Sequence, residues 1–212
     1  EFLLAGKAPP TALLRTYEFL NYYHVRYPVP TTDRLAVHAH FASAPDGTYR
    51  LQVGVQAHDV ERPRMALTFV VDTSGSLVGE GINRERAAIQ AISKKLVMGD
   101  RVNFVTWSNE DSVVLADHEV TGPSDPKLAA AIATLVAGGG SDLHAGLTLG
   151  YDLAEQTNAD DRLSRVILIS DGGANLGVLD RNRIAEEALQ GDDKGIYLVG
   201  IGVGPAFGYS DA

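Results

Sequence analysis

The stretch Met65-Ala-Leu-Thr-Phe-Val-Val-Asp-Thr-Ser-Gly-Ser76 constrains this chain more than any other. Its apolar part, Met65–Val71, does not alternate and is rich in β-branched and aromatic residues. That pattern predicts a central parallel strand covered on both faces. The strand ends abruptly in Asp72, with Ser74 and Ser76 two and four residues on. In open α/β sheets, ligands bind beyond the carboxyl ends of such strands. Three oxygen-bearing side chains spaced two apart on a tight loop can converge on one point. Hard oxygen donors of this kind suit Mg²⁺, Mn²⁺ or Ca²⁺ rather than zinc. Taken alone, the same five residues also fit a turn closed by local side-chain hydrogen bonds.

The rest of the composition narrows the class of partner. The net charge of −9 argues against nucleic acid. No apolar run approaches the roughly 20 residues that a membrane-crossing helix needs. With no cysteine in 212 residues, disulfides, thiolate metal sites and cysteine nucleophiles are excluded.

Before the central strand, residues 1–13 read as a loosely held arm. Thr16–Tyr27, which holds four of the eight tyrosines, reads as a short aromatic helix ended by Pro28 and Pro30. Leu35–Ala42 and Tyr49–Ala57 alternate and are joined by the turn Ala44–Thr48, which predicts a β-hairpin. Leu35, Val37, Ala39 and Phe41 form its apolar face, while His38 and His40 are expected on a solvated one. Residues 1–62 are therefore expected to form an appendage of arm, helix and hairpin. It is expected to pack on a main domain, 63–212, and to bury Phe19, Phe41 and several tyrosines.

After Ser76 the period becomes helical over Arg84–Leu96. Strands follow at Val102–Trp107 and Ser112–Ala116, the second reversed because the link is too short for a crossover. Helices are expected at Lys127–Leu135, Leu143–Glu155 and Ile184–Leu189, and strands at Val166–Ser170 and Ile196–Val203. This order predicts an α/β fold: a doubly wound, mostly parallel sheet with helices on both faces. A second strand then ends in an aspartate, Asp171, and Gly138-Gly-Gly-Ser-Asp142 opens a helix between the two. If the strands ending at Asp72 and Asp171 are neighbours, those carboxylates and the Ser141 hydroxyl meet at one crevice.

Asp72-Thr-Ser-Gly-Ser76, Ser141 and Asp171 together resemble the metal-ion-dependent adhesion site of von Willebrand factor A domains. The similarity runs from about Arg64 to the end, and Glu18–Tyr22 is similar to a segment that precedes the domain in a bacterial group. The resemblance implies one divalent cation, Mg²⁺ first and Mn²⁺ or Ca²⁺ as alternatives, held by Asp72, Ser74, Ser76, Ser141 and Asp171. It implies a non-enzymatic adhesion or protein-binding module whose protein partner supplies a carboxylate to the cation. Export to the periplasm or cell surface is the implied location. The second reading is an intracellular scaffold working with an AAA+ ATPase. Two departures stand out: serine replaces the usual threonine at Ser141, and Asp142 is charged where a neutral residue is common. Asp142 is expected to be a helix N-cap. The family fold ordinarily continues for one more helix and strand than this sequence matches.

Two enzyme readings compare poorly. A phosphatase of the haloacid dehalogenase type wants Asp-x-Asp, but Ser74 stands at the second position. A serine hydrolase wants a Gly-x-Ser-x-Gly elbow, which is absent.

Overall fold

Alternation of apolar and polar residues produces the first two strands, β1 (Leu35–Ser43) and β2 (Tyr49–Ala57). They pair antiparallel, with Val37 opposite Val55, Ala39 opposite Val53 and Phe41 opposite Leu51. The computed structural model describes residues 26–59, 61–172 and 189–203. The chain divides into two units, Glu1–Arg62 and Pro63–Ala212.

Within the first unit itself, nothing covers the apolar face of the hairpin among the described residues. Phe41 is 69% exposed and Tyr49 71%, and Leu35, Val37, Leu51, Val53 and Val55 are open as well. The polar face is the one partly covered. The Tyr27 ring stacks on His38 with centroids 5.0 Å apart, and its hydroxyl accepts a hydrogen bond from Gln52 at 2.8 Å. Gly54 makes this possible, because a Cβ there would sit 2.2 Å from the Tyr27 ring. Alternation says which residues share a face of a ribbon, but not which face is covered. Tyr27 is not helical, consistent with the proline after it, which disfavours helix at the preceding residue. The rest of the expected Thr16–Tyr27 helix, with Phe19, lies outside the described residues, except Arg26.

The second unit is built on β3 (Arg64–Asp72), all of it buried from Ala66 to Asp72. β4 (Arg101–Trp107), β5 (Asp111–Glu119), β6 (Arg162–Ser170) and β7 (Ile196–Gly202) complete a five-stranded sheet in the order β5-β4-β3-β6-β7. All neighbours run parallel except β5, which returns antiparallel to β4. The α-helices lying wholly among the described residues are α1 (Glu80–Ser93), α2 (Pro126–Ala133) and α3 (Leu143–Thr157). The expected helix at Ile184–Leu189 lies outside the described residues, except Leu189.

Successive residues of β3 face opposite layers. Leu67, Phe69 and Val71 pack with Ile82 and Ile89 of α1 and Leu128 and Ile132 of α2. Val70 packs with Leu147, Tyr151 and Ala154 of α3 and with Trp107. Helices therefore cover both faces, which is why β3 has no polar alternation. Burial of this kind is worth roughly 1.5–3 kcal/mol per large side chain.

Glycine and asparagine set how closely α3 lies on the sheet. A Cβ at Gly146 would meet Trp107 at 2.6 Å, and one at Gly150 would meet Val70 at 2.3 Å. At the other end of α3, the buried Asn103 amide donates to Thr157 Oγ1 and to the Leu153 carbonyl, bonding strand to helix. Its Oδ1 accepts the Asp117 N–H where β4 and β5 slip register.

Candidate metal centre

Parallel pairing of β3 and β6 places Val71 beside Ile169, so Asp72 and Asp171 leave the carboxyl ends of adjacent strands. Asp72 is fully buried. Its Oδ1 accepts the Ser74 N–H at 2.8 Å, and its Oδ2 accepts the Ser170 hydroxyl at 2.7 Å. Burial nevertheless raises its carboxyl above the ordinary range, opposed by these hydrogen bonds and reinforced by the charge of Asp171.

Beyond Asp72 the chain makes a single 3₁₀ turn, Gly75–Leu77, anchored by the buried Leu77. This turn brings Ser76 back over Ser74, with the two hydroxyl oxygens 3.0 Å apart. Ser74 is buried and Ser76 exposed. Adjacent ligands of an octahedral ion at 2.0–2.1 Å stand about 2.9 Å apart, so the two hydroxyls already have the spacing of one edge of such a shell.

The glycine-rich loop is tied to this turn through its backbone. The Gly138 N–H donates to the Thr73 carbonyl at 2.8 Å, and the Gly75 N–H to the Gly139 carbonyl at 3.0 Å. A third loop, after β4, holds it from the other side. Asp142 N–H donates to the Ser108 carbonyl, and Gly140 N–H to Asn109 Oδ1. Thr73 itself is fastened to the Trp107 carbonyl by both its N–H and its hydroxyl. Ser141 is buried at the end of the glycine-rich loop. Asp142 caps α3, its carboxylate accepting the Ala145 N–H, and its charge is felt at Asp111.

The structure therefore brings Asp72, Ser74 and Ser76 into one hydrogen-bonded group and sets Asp171 at the end of the next strand. Ser141 lies on a loop bonded to the first. Asp171 is partly exposed. Among the described residues no three His, Asp or Glu side chains form a cage of their own. The donor set is instead two carboxylates with hydroxyls, which fits a hard cation that keeps part of its water shell.

Sequence reasoning missed Ser170, Thr73, Asn109 and Glu85. Ser170 orients Asp72 and accepts the Gly172 N–H. Glu85 is fully buried on α1, with neither carboxylate oxygen hydrogen-bonded among the described residues. Burial first, then the charges of Asp72 and Asp171, push its carboxyl up to about 9. The available signal was its place on the apolar stripe of α1, between Ile82 and Ile89.

Residues 67–174, half of the chain and the whole span of the candidate centre, match the model of the von Willebrand factor type A domain. The chain belongs to this family. The von Willebrand factor A chain is 28% identical to the uncharacterized protein YfbK of Escherichia coli K12, over 96% of its own length and 37% of YfbK. It is 30% identical to the uncharacterized protein sll0103 of Synechocystis, over 66% of its length and 33% of that protein. It thus spans about a third of the length of each of these two relatives. The solved von Willebrand factor type A structure from Catenulispora acidiphila shares the fold at a TM-score of 0.58. Identity there is 16%, covering 80% of this chain and 40% of that one. Proximal thread matrix protein 1 of the mussel byssus, solved with a zinc-occupied MIDAS motif, aligns at a TM-score of 0.53 and 18% identity. That alignment covers 67% of this chain and 38% of that one.

Proposed function

We propose that this von Willebrand factor A chain is a cation-dependent protein-binding module with no catalysis of its own. One divalent cation would be held by Asp72, Ser74, Ser76, Ser141 and Asp171, with Mg²⁺ preferred and Mn²⁺ or Ca²⁺ as substitutes. The observation that carries the reading is the 3.0 Å pair of serine hydroxyls beside the buried Asp72. The metal-occupied motif of the mussel protein supports it.

When bound, the cation supplies an electrophilic point that attracts an outside carboxylate. The chain's own residues do the remainder. Ser170 and the Ser74 N–H fix both oxygens of Asp72. The bonds from Gly75 and Gly138 keep the serine-bearing loops together. The hydrogen bonds described at the centre serve to orient Asp72 and to join loops; none sets a general base against a nucleophile. The partner would be a protein presenting Asp, Glu or a chain-terminal carboxylate. Location in the periplasm or at the cell surface is part of the same proposal, supported by the likeness of Glu18–Tyr22 to a bacterial group.

Calorimetry with Mg²⁺ and Mn²⁺ tests the reading. Wild type should bind one cation per chain, and Asp72→Asn should weaken it about a hundredfold, ~2.7 kcal/mol. Asn is the better variant. Asp72→Ala would strand the buried Ser74 N–H and Ser170 hydroxyl at roughly 1–3 kcal/mol each, whereas Asn keeps an acceptor for Ser74. In pull-downs from the native source, a carboxylate-bearing partner should be lost with EDTA or Asp72→Asn and regained with Mg²⁺. Absence of divalent-cation binding by wild type would overturn the reading.

A further inference from the structure

The side chain of Asn109 has two polar ends, and the assembly described so far uses one of them. Asn109 is exposed on the loop after β4, and its Oδ1 accepts the Gly140 N–H at 2.6 Å. That bond fixes which end of the amide is which, because a backbone N–H is met by the oxygen and not by the NH₂ group. Nδ2 is the other end, and among the described residues it donates no hydrogen bond. Gly139 sets its place. A Cβ at Gly139 would meet Nδ2 at 2.9 Å and Cγ at 3.2 Å, so the amide lies across the bare Cα where any other residue would carry a side chain. The carbonyl of Gly139 accepts the Gly75 N–H at 3.0 Å. Gly75 in turn stands between Ser74 and Ser76, whose hydroxyls form the 3.0 Å pair. One glycine thus separates the unused amide donor from the serine turn. Gly75, Ser76 and Gly139 are all exposed, so an incoming group has access to this rim.

A carboxylate that reaches a cation with one oxygen has a second oxygen to satisfy. The residues next along the loop, Glu110 and Asp111, are acids and offer it no side-chain donor. We propose that Asn109 is a ligand-contact residue: Oδ1 holds the glycine-rich loop, while Nδ2 donates to the second oxygen of the carboxylate whose first oxygen meets the cation. This rests on the reading of the centre as a divalent-cation site that receives a carboxylate. Hydrogen bonds to a charged acceptor are the stronger kind, and this one is made only to a ligand with two oxygens on one carbon. The site thereby favours an Asp, Glu or chain-terminal carboxylate over ligands with a single acceptor atom, such as a hydroxyl, a backbone carbonyl or chloride. The amide is held in this sense. Turning it over would set its NH₂ group against the Gly140 N–H, donor facing donor.

The test is nuclear magnetic resonance on isotope-labelled protein loaded with Mg²⁺, titrated with sodium acetate and, in parallel, with sodium chloride at equal ionic strength. Asn109→Asp is the comparison, since it keeps an acceptor for the Gly140 N–H and removes the donor; thermal melts establish that both proteins are folded. The variant also identifies the Asn109 side-chain signal by its loss. In wild type, acetate but not chloride should shift that N–H signal downfield, saturably, and EDTA should abolish the shift. Asn109→Asp should bind Mg²⁺ at least as tightly as wild type, yet take acetate roughly tenfold more weakly. The wild-type shift is the deciding readout, because charge repulsion in the variant cannot imitate it. A side-chain signal that stays still while acetate saturates, or equal acetate affinity in the two proteins, would overturn the role of Asn109 and leave the cation centre standing. Failure of the Mg²⁺-loaded protein to take acetate would overturn that role together with the carboxylate partner, and no Mg²⁺ binding by wild type would overturn the cation reading as well.

Discussion

Asp125 shows how much one carboxylate can hold in this fold. It caps α2 by accepting the Leu128 N–H, takes both the N–H and the hydroxyl of Thr121, and meets His118 Nε2 at 2.9 Å. Burial works to raise its carboxyl, but the Leu128 and Thr121 amides, His118 and the Thr121 hydroxyl together hold it well below the usual range. A carboxyl held low in the folded state stabilises fully above its unfolded value near 3.8 and loses that contribution as pH falls below it. Asp125→Ala should therefore cost about 2–3 kcal/mol at pH 7. In urea melts, its deficit against wild type should shrink below about pH 4. Asp72 and Glu85 lie on the opposite side of the same balance, since burial raises both. Local rules led to Asp72 because it ends an apolar run. They passed over Glu85 because helical periodicity was matched to apolar residues alone, and a charge on the buried stripe was not counted.

α3 is the element on which the candidate centre leans, because the loop carrying Ser141 runs directly into its first turn. Its distance from the sheet is set by Gly146 against Trp107 and Gly150 against Val70. Gly150→Ala should force Val70 or the whole helix aside, destabilising the protein by roughly 1–3 kcal/mol and loosening cation binding through displacement of the Ser141 loop. Calorimetry and thermal melts on one preparation would show both effects together. Much of the architecture was legible at this scale. The apolar runs at Met65–Val71, Val166–Ser170 and Ile196–Val203 are strands in the structure, and the short link after Trp107 does produce an antiparallel β5. The ends were less legible: α1 begins at Glu80, a turn before its first clear apolar repeat, and β6 begins at Arg162, ahead of its apolar half. The hairpin pairing was legible from local alternation, whereas its burial depends on what covers it. Ser170 and Asn109 were illegible for a related reason: each acts on a residue far away in the chain.

At the scale of the whole chain, the two units differ in the surface they present. The second places its apolar residues in two clusters on either side of the sheet. The first exposes an apolar ribbon face bearing Val37, Phe41, Leu51 and Val53. This face should bind a hydrophobic fluorescent dye, and Phe41→Thr with Val53→Thr should remove most of that signal while β-pairing is retained. An unchanged signal would mean that the face is covered in solution. The candidate centre has a different consequence, which follows from the backbone bonds joining the segments at Thr73–Gly75, Trp107–Ser108 and Gly138–Asp142. Three loops from distant parts of the chain are already stitched into position before any ion arrives. The ordering of those segments is thus settled during folding, and what remains on the path to the loaded state is chiefly the exchange of water molecules around the ion. Uptake should then follow the intrinsic water-exchange speed of each metal, fast for Mn²⁺ and slow for Mg²⁺, with no shared slow phase from the protein.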